Sequence, residues 1–77
     1  MGMVYLRIEL KVSRIQNQLS QKQLAKLVGV SQQTIAKWEL GVTTPSHFKH
    51  LRKLESVLEK PANHLFPDLF LEFDKVQ

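Results

Sequence analysis

Gln32 and Gln33 stand side by side, and Lys37 follows Gln33 by about one helical turn. This grouping is the one best suited to recognition chemistry. A glutamine amide donates and accepts in one plane, so it can give a hydrogen bond to N7 of an adenine and take one from its N6 amine in a major groove. A lysine at the same edge can meet a guanine or a phosphate. Thr34 adds a hydroxyl for a phosphate and a methyl for a thymine methyl, and Ser31 opens the same edge. Gln21 and Lys22 begin the preceding segment, where an amide, an ammonium and a helix N-terminus can all face a phosphate. The competing reading is that these polar residues are merely solvated.

Other chemistries find less support. His47 and His50 are three residues apart, but no cysteine and no carboxylate pair accompanies them; His64 stands alone. No metal site is expected. There is no Ser/His/Asp arrangement, no glycine-rich phosphate loop and no paired carboxylates, so neither catalysis nor a cofactor is expected. The chain has 77 residues, enough for one small core. With 43% hydrophobic and 23% charged residues it should fold rather than stay disordered. It has no cysteine to staple it, which suits a reducing, cytoplasmic setting. No apolar run approaches membrane-spanning length. Residues 1–60 carry ten Lys/Arg against four Glu, and residues 61–77 one Lys against three acids. A basic body with an acidic tail favours a polyanionic partner over plain solubilising charge.

The elements that position the glutamines are two short helices. Leu24, Ala25 and Val28 form one apolar stripe. Ser20 is a good N-cap, and Gln23 three residues on completes a capping box. Gly29 ends the stripe where a left-handed residue is needed. Val30 turns inward, and Ser31 caps the second helix. Ile35 and Trp38 make its inner face, leaving Gln32, Gln33, Ala36 and Lys37 outside. An exposed Trp38 would suggest stacking on unpaired bases; its place on the Ile35 stripe assigns it to the core. A turn this short sets the helices at roughly 90–120°.

These residues resemble the helix-turn-helix of the phage-repressor-like, or xenobiotic-response-element (XRE), regulators. The likeness rests on Leu24, Ala25, Val28, Gly29, Val30, Ile35 and Trp38. It continues through Trp38-Glu39-Leu40-Gly41-Val42-Thr43-Thr44-Pro45, and upstream through Arg14 and Leu19-Ser20-Gln21. It covers about Leu10 to Phe66. Ser13 departs from it, because the family often has an apolar residue there. The resemblance implies an all-α domain of five helices and a duplex-DNA-binding regulator, a repressor, that reads the major groove with residues 32–39. It implies base contacts from Gln32 and Gln33, and phosphate contacts from the loop holding Thr43 and Thr44, which can also be read as a plain polar turn. It also implies an ion pair between Arg14 and Glu39.

One domain spanning 1–77 is expected, with a core over 9–66 and terminal extensions at 1–8 and 67–77. The first helix is placed at about Glu9 to Gln18. Val4 to Ile8 alternates in the strand manner and would pair with Leu69 to Phe73 in a short β-ribbon if it is not helical. Pro45 and Ser46 are read as opening a fourth helix, with Ser46 as N-cap and Phe48, Leu51, Leu54, Val57 and Leu58 as its apolar stripe. Pro61 stops it, and Asn63 is read as capping one more turn. The apolar tail, with Leu69, Phe70, Leu71 and Phe73, either folds back on the core or forms the surface of a homodimer. The alternative function is an antitoxin-type DNA-binding protein whose tail docks a toxin partner.

Overall fold

The computed structural model describes residues 7–69, and this part of the chain contains helices and no strand. The α-helices are α1 (Ile8–Gln16), α2 (Gln21–Val28), α3 (Gln32–Leu40), α4 (Phe48–Leu58) and α5 (Ala62–Leu65), followed by a 3-10 turn at Pro67–Leu69. Helices this short are marginal alone, so packing and caps must hold them. No helix among the described residues is long and apolar enough to cross a membrane.

The caps of α2 and α3 follow from their residue types. The Ser20 hydroxyl accepts the Gln23 N–H at 3.0 Å, and the Gln23 side chain accepts the Ser20 N–H at 2.8 Å. Both orphan donors are thereby satisfied. Gly29 takes φ 91° at the end of α2 and Gly41 φ 80° at the end of α3, a region that costs an ordinary side chain energy. Ser31 caps α3 by accepting the Thr34 N–H at 3.1 Å.

The core gathers Leu10, Leu24, Ala25, Val28, Ile35, Trp38, Leu54, Leu58, Leu65 and Phe66. Trp38 meets Phe66 edge to face, with ring centroids 6.5 Å apart. Ser13 is buried among these helices, and its hydroxyl has no hydrogen-bond partner among the described residues. A buried hydroxyl without a partner keeps its desolvation cost. Ser13→Ala removes that cost and improves helix propensity, so it should stabilise the domain by about 1 kcal/mol, raising Tm by roughly 4–8 °C. A calorimetric melt that is unchanged or lower would show that the hydroxyl is bonded in solution.

Several sequence expectations need correction. Helix α1 starts at Ile8 and ends at Gln16, because Gln18 has left-handed backbone, φ 59°. Ser46 does not cap α4; His47 holds that place without a side-chain cap. Pro45 is buried, and the first helical turn begins only at Phe48. The Phe48 ring is consequently 68% exposed, outside the core, and lies under the Arg52 guanidinium at 5.5 Å. Leu51, Leu54, Val57 and Leu58 keep the inner stripe. Asn63 is not a cap, since Pro61 occupies that position of α5. A carboxylate from α4 replaces it: Glu55 Oε2 accepts the Ala62 N–H at 2.6 Å. Of the expected ribbon, Ile8 is helical and Leu69 closes the 3-10 turn. Residues 4–6 and 70–73, with the tail positions Phe70, Leu71 and Phe73, lie outside the described residues.

Candidate nucleic-acid interface

Burying Ile35 and Trp38 fixes the rotation of α3 and therefore what it shows outside. Gln32, Gln33 and Lys37 are exposed along that outer face, and Ala36 is half-buried beside them. Thr34 is half-buried; its hydroxyl is 2.9 Å from that of Ser31. These two hydroxyls are occupied in the cap of α3, which fixes the turn that carries both glutamines.

Behind this face runs a buried polar network. Arg14 Nε donates to Glu39 Oε2 at 2.5 Å, and its Nη2 donates to Oε1 at 3.3 Å. Arg14 also donates to the Leu19 carbonyl at 2.8 Å, so one guanidinium joins α1, the end of α3 and the approach to α2. Arg14 is 8% exposed and Glu39 6%. Burial makes their pairing far costlier to break than a surface pair. The Gln21 amide donates to Glu39 Oε1 at 3.0 Å. Its side chain is thus half-buried and partly engaged, which leaves the N-terminus of α2 and the exposed Lys22 as the freer groups at that corner.

Thr43 and Thr44 are exposed in the loop after α3. The loop turns back on the helix through the Val42 N–H, which reaches the Lys37 carbonyl at 2.9 Å. Arg7 holds the other side: it donates to the Thr43 carbonyl at 2.8 Å and to the Thr44 hydroxyl at 3.1 Å. Its salt bridge to Asp68, at 2.7 Å, holds the Asp68 carboxyl below the ordinary carboxylate pKa. Reading the sequence missed Arg7 altogether. Its partners are more than thirty residues away, and helical periodicity reports only near neighbours. A lone arginine in an apolar stretch was the available signal.

The His47 and His50 rings meet edge to face at 5.4 Å, and His50 lies 6.0 Å from the Trp38 ring. Partial burial, with His47 and Lys49 adding positive charge, holds the His50 imidazole below its ordinary pKa. The two buried arginines are matched by Asp68 and Glu39. The charge left for a polyanion therefore sits on exposed cations, Lys22, Lys26, Lys37, Lys49 and Arg52 among them.

A helix-turn-helix family model matches residues 10–65 of the chain. No curated protein and no solved structure matches it.

Proposed function

We propose that this chain, which belongs to the helix-turn-helix family of the XRE/Cro–C1 type, whose members are DNA-binding transcriptional regulators and typically not enzymes, is a sequence-specific repressor. It reads base edges in the major groove with Gln32, Gln33 and Lys37 of α3. Lys22, the N-terminus of α2 and the loop at Thr43 and Thr44 grip the phosphates. The observation that carries this reading is the exposure of both glutamine side chains and the lysine on the face opposite buried Ile35 and Trp38. One nine-residue helix covers few base pairs, so the working species is a homodimer on a two-fold site.

Selection of bound duplexes from a random pool tests this directly. Enrichment of paired half-sites about 10–10.5 base pairs apart, or a multiple of that, is expected. Binding should weaken steeply as salt rises. A pool that stays unenriched, or binding indifferent to salt, would reject the proposal.

A further inference from the structure

Arg7 stands outside the helix-turn-helix, yet every one of its guanidinium donors is used. Nε donates to Asp68 Oδ1 at 2.9 Å. Nη2 donates to Asp68 Oδ2 at 2.7 Å and to the Thr44 hydroxyl at 3.1 Å. Nη1 donates to the Trp38 carbonyl at 3.0 Å and to the Thr43 carbonyl at 2.8 Å. That accounts for all five N–H groups an arginine possesses. The guanidinium carbon lies 4.9 Å from the centre of the Phe66 ring, and the residue is 3% exposed. Its own backbone N–H reaches the Glu39 carbonyl at 3.0 Å. One planar fork therefore joins the end of α3, the loop after it and the 3-10 turn at Pro67–Leu69.

We infer that Arg7 is the positioning residue for DNA binding. It fixes the loop at Thr43 and Thr44 relative to the recognition helix, and Asp68 fixes the plane of its guanidinium. The inference rests on the phosphate-gripping role given above to that loop. Arg7 is buried and cannot touch a phosphate itself. Two of its five bonds go to exposed residues that contribute nothing to the core. A fork spent this way holds a surface in shape. Rigid geometry there spares the loop an ordering cost when it meets a phosphate. A lysine keeps the charge but offers three donors from a single nitrogen, so it cannot reproduce a planar fork of five bonds from three nitrogens. Because phosphate contacts carry no sequence information, the effect must fall equally on all duplexes.

The test uses the full chain as wild type, Arg7→Lys and Asp68→Asn. Affinity is measured against salt on a selected duplex and on a scrambled one, at temperatures where circular dichroism shows each protein folded. Exchange of the Thr43 amide hydrogen is followed in parallel. Both variants should weaken both duplexes by the same factor, about five- to tenfold, with the salt slope unchanged, because the loop carries no cation and no phosphate-neutralising charge is lost. The preference for the selected duplex should stay intact, and the Thr43 amide should exchange faster. Asp68→Asn makes the sign informative. Removing an acid strengthens binding to a polyanion by charge alone, so weaker binding isolates positioning. Folded variants that bind like wild type, or an Asp68→Asn that binds tighter, would overturn the role of Arg7. If Arg7→Lys does not fold, Asp68→Asn decides. A wild type that binds no duplex overturns the repressor reading and this role with it, whereas failure confined to the variants leaves that reading standing.

Discussion

Glu39→Ala is expected to cost about 3–5 kcal/mol of folding stability. That is a large share of what a small domain possesses, commonly about 5–15 kcal/mol. The substitution removes the carboxylate that takes two bonds from Arg14 and one from Gln21, and leaves Arg14 charged and nearly dry. An unpaired buried guanidinium is far worse than a surface charge, because water cannot replace the lost partner. Urea melts with far-UV detection measure the loss. The companion experiment separates pairing from packing: replacing Arg14 and Glu39 together by methionine should recover most of the stability, since an apolar pair leaves no charge stranded. A loss below about 1 kcal/mol for Glu39→Ala alone would mean the pair is solvated in solution, as surface pairs are.

Gln33→Ala is expected to lower the preference for the selected duplex by about 1–3 kcal/mol, the worth of one good amide–base pairing. Gln33 is exposed at the start of α3 and no part of the core depends on it. The folded state should therefore melt as wild type does, and binding to scrambled duplex should barely change. Competition between selected and scrambled duplexes reads the ratio. An equal loss on both sequences would assign Gln33 to backbone contact, and no loss would leave it a solvated residue. Gln33→Ala and Arg7→Lys should act in opposite ways: the first alters discrimination and spares general affinity, the second does the reverse.

Local punctuation explains which parts of the fold were legible in the sequence. Ser20 with Gln23, Gly29, Ser31 and Gly41 mark the ends of α2 and α3, and each acts within a few residues of itself. The inner stripes of both helices followed from the same short-range spacing. The start of α4 is not legible locally, because Pro45-Ser46 has the look of a helix opening while the structure buries Pro45 ahead of a helix that begins at Phe48. The start of α5 is hidden for a related reason: its cap comes not from Asn63 but from Glu55, on a different helix. The Arg7 fork draws on Trp38, Thr43, Thr44 and Asp68, residues that only the folded chain brings together. Side chains that face outward on a well-punctuated helix could be named in advance. Those that brace the outward face from behind could be named only where the resemblance supplied both partners, as for Arg14 and Glu39.

Trp38 is the chain's single tryptophan, and it sits 3% exposed on the back of α3, against Phe66 and near His50. The molecule thus carries its own fluorophore on the hidden side of the helix whose visible side is proposed to meet a duplex. Unfolding wets the indole, while a ligand laid across the opposite side leaves it dry. Emission from this one ring follows the integrity of α3 without being touched by a duplex on the outer face, where the proposed contacts lie.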